Sequence, residues 1–189
     1  MAAPYLIAIG GSAGGLQPVL TLLPELSADL NAAIIIVLHR QNHNASVLPE
    51  LLAARTSWTV KEAAEKEPLE SGTIYIAPAD YHLLIETDHT LSLDDSEKVN
   101  FSRPSIDVTF STAAMAYKSH MTAILLSGAN ADGVDGLMDV NDAGGITAVQ
   151  DPTTAEVDYM PKQALEQVKI AHILTPQDMA TFINSIAKV

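Results

Sequence analysis

The run Ala32-Ala-Ile-Ile-Ile-Val-Leu38 holds seven residues and no polar one. A strand sends successive side chains to opposite faces, so such a run needs apolar cover on both sides. That is the signature of a strand inside a parallel sheet, with helices above and below. It is far short of the roughly 20 apolar residues that a membrane-spanning helix requires.

Other segments repeat the pattern. "YLIAIG" (5–10), "MTAILLSG" (121–128) and "GITAVQ" (145–150) read as further buried strands, with "GTIYIAP" (72–78) and "IAHIL" (170–174) as shorter ones. "HLLIET" (82–87) and "HTLSLD" (89–94) predict an antiparallel hairpin around Asp88. Between the strands lie helical patterns. "GLQPVLTLLPEL" carries Leu16, Val19, Leu20, Leu22 and Leu23 at helical spacing. Helices are also expected over 45–55, 132–144, 160–169 and 176–188. Another is expected from Pro104 to Tyr117, with the proline at its first position. "SEKVNFSR" (96–103) is polar and reads as a surface loop. The βαβα order predicts an α/β fold: a doubly wound, mostly parallel sheet, helices on both faces, three αβα layers of Rossmann-like type, and a small antiparallel hairpin portion. With 189 residues and no linker or repeat, the chain reads as a single domain over 1–189.

Composition narrows the function. There is no cysteine, which removes thiolate metal sites and disulfides. The net charge of −13 repels phosphate backbones, so no nucleic-acid partner is expected. No signal peptide and no membrane insertion are expected, which places the chain in the cytoplasm.

In a parallel sheet, chemistry gathers beyond the carboxyl ends of the strands. Ser12 follows the first strand, His39 the second, and Asp132 follows "MTAILLSG". A serine, an imidazole and an acid make a nucleophile, its base and the group that orients the base. Gly10-Gly11-Ser12-Ala13-Gly14 fits the G-x-S-x-G pattern, which leaves the hydroxyl uncrowded. The Ala13 amide, at an expected helix start, and a donor around Ala129 would hold an oxyanion. The plainer readings are that Ser12 caps the next helix and that Asp132 sits at a helix N-terminus, a role that suits Asp135 better. His39 and His43 form H-x-x-x-H without a third ligand, so no metal is expected. A dinucleotide site is disfavoured, because "GGSAGG" is not G-x-G-x-x-G and no acid ends the second strand.

In order along the chain stand "IAIGGSAGGL", "IIVLHRQN", "EPLESGTIYIAPADYHLLI", "RPSIDVTFSTAA", "ILLSGANADGVDGL" and "AGGITAVQDPTTAEVDYMPKQAL". Together they resemble the catalytic domain of the chemotaxis protein-glutamate methylesterases, the CheB family, over nearly the whole chain. The resemblance implies a protein-glutamate methylesterase that hydrolyses γ-glutamyl methyl esters on chemoreceptors, with glutamine deamidation as a second activity. It implies Ser12, His39 and Asp132 as the triad, no cofactor and no metal. Arg103 and Ser105 match its "RPS" element and Met160 its "MP" element, which places them near the site. Arg40 and Arg103 would line a locally basic groove for the substrate. Many members carry threonine where this chain has Ala13. No receiver domain is expected here, and the partner would be a methylated chemoreceptor cytoplasmic domain or another methyl-esterified protein. The alternative is a non-catalytic or differently targeted CheB-like signalling module.

Overall fold

A computed structural model describes residues 3–40 and 47–187. Seven strands form one sheet in the order β3-β4-β2-β1-β7-β8-β9. They are β1 (Tyr5–Gly11), β2 (Ala32–Leu38), β3 (Thr59–Glu62), β4 (Thr73–Ile76), β7 (Met121–Leu125), β8 (Ile146–Gln150) and β9 (His172–Leu174). Every neighbouring pair is parallel. The expected hairpin is there as β5 (His82–Ile85) and β6 (Leu91–Asp94), in antiparallel register and in a separate two-stranded sheet.

The helices are α1 (Leu16–Leu22), α2 (Leu48–Ala53), α3 (Ile106–Tyr117), α4 (Val134–Asp142), α5 (Tyr159–Gln167) and α6 (Pro176–Ile186). The apolar runs divide by parity, as a pleated strand must. Leu6, Ala8, Ala33, Ile35 and Val37 pack with the hairpin and with α3, α4 and α5. Ile7, Ile9, Ala32, Ile34 and Ile36 pack with α1, α2 and α6 on the other face. Two cores therefore flank one sheet. β1 lies at its centre, and the chain winds outward first through β2 and later, on the other side, through β7. Connections diverge at such a point and leave a crevice at the strand ends.

Several expected boundaries move. Pro104 does not open α3. Ser105 is its cap, accepting from the Val108 amide, and Ile106 is the first helical residue. Asp132 and Gly133 precede α4 rather than belonging to it, because Gly133 has φ +96°. The strand β3 went unpredicted. It is a half-exposed edge strand, so its residues lack an apolar run. The start of the helix expected at 45 and His43 lie outside the described residues. No described helix is long and apolar enough to cross a membrane.

Gly10 shows how tightly the layers meet. A Cβ there would lie 2.4 Å from the Ile106 side chain at the head of α3. Gly10→Ala is expected to destabilise the fold by about 1–3 kcal/mol through overpacking, read as a lowered denaturant midpoint at unchanged slope.

Candidate active site

Three strand ends converge. The His39 amide donates to the Gly11 carbonyl at 3.1 Å, and the Ser12 amide donates to the Ser127 carbonyl at 2.9 Å. The residues just beyond β1, β2 and β7 are thus hydrogen-bonded side by side. Ser12, His39 and Arg40 share a cavity of about 190 Å³ with Leu16, Leu38 and Leu48.

The serine sits in a turn, not at a helix start. Gly15 donates its amide to the Ser12 carbonyl at 2.8 Å, and Gly14 between them has φ +77°. That is the position where a type II turn needs a left-handed residue. α1 begins only at Leu16, with Gly15 as its cap and no side-chain cap bond. Ser12 therefore does not cap the helix, and Ala13 lies in the turn. Among the described residues, the Ser12 hydroxyl and the Ala13 amide have no hydrogen-bond partner. Gly128 closes over this turn. A Cβ on it would lie 3.0 Å from Ser12 Cβ and 2.5 Å from the Met160 methyl, so any larger residue there would have to displace Met160 and crowd Ser12.

His39 Nε2 is 2.7 Å from Asp132 Oδ2. The Asp132 side chain is fully buried, whereas 12% of the His39 side chain remains accessible. The carboxylate also receives the first amides of α3: Ile106 on Oδ2 at 2.7 Å and Asp107 on Oδ1 at 3.0 Å. The Ser105 hydroxyl donates to Oδ1 at 2.9 Å. Burial pushes the Asp132 carboxyl up, but the His39 contact and these two amides outweigh it, and its pKa lies below the ordinary value. The group is therefore an anion, stabilised at a helix N-terminus. The helix is α3, not its own α4.

Asp107 makes the reverse connection. Its Oδ1 accepts from Gly133 at 2.9 Å and Gly136 at 2.7 Å, both at the head of α4. Each acid thus serves the N-terminus of the other's helix. Asn100 joins the two, donating to Asp107 at 2.7 Å and to Asp132 at 3.3 Å. Burial raises the Asp107 carboxyl to about 6, assisted by the Asp132 charge and opposed chiefly by the Gly136 amide.

The remaining predicted residues fall as follows. Ser105 is buried and links the α3 cap to Asp132; its amide donates to Nδ1 of the buried His82 at 3.1 Å. Arg40 lies on the cavity wall, donating to Glu62 at 2.6 Å and to the Ala77 carbonyl at 3.0 Å. Arg103 donates to the carbonyls of Asp95 at 2.9 Å and Ser96 at 2.8 Å, which ties down its own loop. Met160 is buried against Gly128. Ala129 is exposed beside Gly128. Sequence reasoning missed Asn100, Ser102, Asp107 and Asn130. Ser102 Oγ and Asn130 Nδ2 each approach His39 Nδ1 at 3.5 Å.

Comparison with known proteins decides the lineage. The CheB methylesterase family matches residues 7–183. The chain belongs to the CheB methylesterase family. It is 42% identical over 174 residues to a Leptospira interrogans relative, covering 92% of this chain and 90% of that one. A Thermotoga maritima protein named protein-glutamate methylesterase/protein-glutamine glutaminase is 34% identical over 89% of this chain. A Symbiobacterium thermophilum protein of the same name is 30% identical over 95%. The chain spans about half the length of these last two, 50% and 49%. The crystal structure of the Thermotoga maritima CheB methylesterase catalytic domain superposes with a TM-score of 0.94 at 31% identity, covering 98% of this chain and 100% of that one.

Asp107 gives a pH prediction. Its folded pKa of about 6 lies above the 3.8 of an ordinary aspartate. The folded state therefore binds the extra proton, and this contribution to stability declines as pH rises through that window. Asp107→Asn removes it. The stability of wild type relative to the variant should fall between about pH 4 and 6 and level off above, in urea melts at several pH values. A difference independent of pH would contradict the assignment.

Proposed function

We propose that the chain is a serine hydrolase that removes methyl esters from glutamate γ-carboxyls of chemoreceptors, with glutamine deamidation at the same site. The observation that carries this reading is the His39–Asp132 pair, whose imidazole lines the same cavity as Ser12.

The tautomer follows from the acid. An ionised carboxylate only accepts, so Nε2 carries the proton it donates to Asp132. Nδ1 then keeps a lone pair. Two donors, the Ser102 hydroxyl and the Asn130 amide, lie 3.5 Å from it, as suits an unprotonated nitrogen. Nδ1 is thus the base.

In the proposed reaction, Nδ1 takes the Ser12 proton as Oγ attacks the ester carbonyl. The Asp132 anion stabilises the imidazolium that forms. The amides of Ala13 and Ala129 are the candidate oxyanion donors. Collapse breaks the ester C–O bond, and His39 returns its proton to methoxide, giving methanol. Water, deprotonated by His39, then cleaves the acyl-enzyme and leaves glutamate and free Ser12. For a glutamine substrate the leaving group is ammonia. Arg40 lines the cavity with its charge balanced by Glu62, whereas Arg103 acts through its loop. The groups named complete the cycle without a cofactor. The chain is read as one cytoplasmic domain whose partner is the methylated receptor segment.

The test is methanol release from a methyl-esterified chemoreceptor cytoplasmic fragment. Ser12→Ala should lower it by about three orders of magnitude or more while the unfolding midpoint stays put. Unchanged release in that variant would remove Ser12 as nucleophile. Asp132→Asn should also lose most activity, because the amide neither fixes the tautomer nor balances the imidazolium charge.

A further inference from the structure

Phe101 takes no part in this chemistry, and the core does not account for it. It is 97% exposed. It stands at the tip of a tight turn closed by two backbone bonds, Val99 amide to Ser102 carbonyl at 3.1 Å and Ser102 amide to Val99 carbonyl at 2.9 Å. Both central residues are left-handed, Asn100 at φ +50° and Phe101 at +62°. Turns of this kind favour Asn followed by Gly. Asn100 suits its place, but a bulky residue at positive φ is strained. A side chain that is both strained and held in water weakens the fold twice over, and such outliers mark sites where another requirement wins.

Its neighbours show where it points its influence. Asn100, just before it, bonds the two buried carboxylates at 2.7 and 3.3 Å. Ser102, just after it, lies 3.5 Å from His39 Nδ1. The turn is therefore held to Asp132, Asp107 and His39 by the residues on either side of Phe101. The cavity itself has an apolar wall on α2, where Leu48 lines it and its neighbour Val47 is 59% exposed.

We propose that Phe101 is an anchor for the protein segment that bears the ester, packing against apolar side chains next to the glutamyl group being cleaved. This rests on the hydrolase reading above. Its occupant is a protein segment rather than a small ester, because the ring stands outside the cavity that would hold the ester alone. Charge argues the same way. A surface of net charge −13 attracts no segment whose product is glutamate, whereas apolar contact is indifferent to that sign. Exposed aromatic rings are the usual anchors of such contacts.

The test uses Ser12→Ala protein, which binds without turnover, and measures its Kd for the methyl-esterified receptor fragment. Adding Phe101→Gly should weaken binding about fivefold or more, and Phe101→Tyr should restore it. The glycine variant should unfold no earlier, since glycine accepts positive φ without strain. Equal affinity with and without the ring, or no binding by Ser12→Ala protein at all, would overturn the proposal. Methanol release by wild type is scored separately. Release with a Phe101-independent Kd removes the anchor and keeps the esterase; a Phe101-dependent Kd without release does the reverse.

Discussion

The crossed pair of carboxylates holds this site together. Asp132 sits under the N-terminus of α3, and Asp107 under that of α4. A buried carboxylate is costly unless hydrogen bonds replace its water. Helix N-termini supply unpaired amides aimed in one direction, which is the replacement used here. The two helices are fixed to each other by the same bonds. Asp132 is thereby fixed relative to β7 and α3 before any substrate arrives.

His39 inherits its position from that anion. Its backbone is tied to Gly11, so the imidazole is held between the end of β1 and the head of α3. Preorganisation of this kind removes the need to reorient dipoles during reaction. Their hydrogen-bond donors set the two acids apart. One stays ionised below the ordinary range while its neighbour is raised to about 6. Two carboxylates close together separate in this way whenever one has the better donors. Here Asp132 has the imidazole as well as amides.

Much of this was legible in the chain. Ser12, His39 and Asp132 each follow an apolar run, and a parallel sheet puts such residues at one edge. The hairpin around Asp88 and the parallel topology came from the same runs. Other features were not legible for a physical reason. Asp107 reads as an ordinary first-turn acid of its own helix. That it serves α4 depends on how α3 crosses α4, which no local pattern encodes. Asn100 and Phe101 lie in a polar stretch that reads as surface loop, and only the closed turn gives them a place. Ala13 was expected at a helix start, but the glycines delay the helix to Leu16. The edge strand β3 lacks the apolar run that marked its neighbours.

The central claim is that the Asp132 anion fixes the His39 tautomer, leaving Nδ1 as base toward Ser12. The most direct measurement is the nitrogen NMR spectrum of His39 in the resting protein, with neutral imidazole. The account predicts a proton on Nε2 and a bare Nδ1, a pattern lost in Asp132→Asn. A proton on Nδ1 would contradict it, because Nδ1 would then have no lone pair with which to take the serine proton.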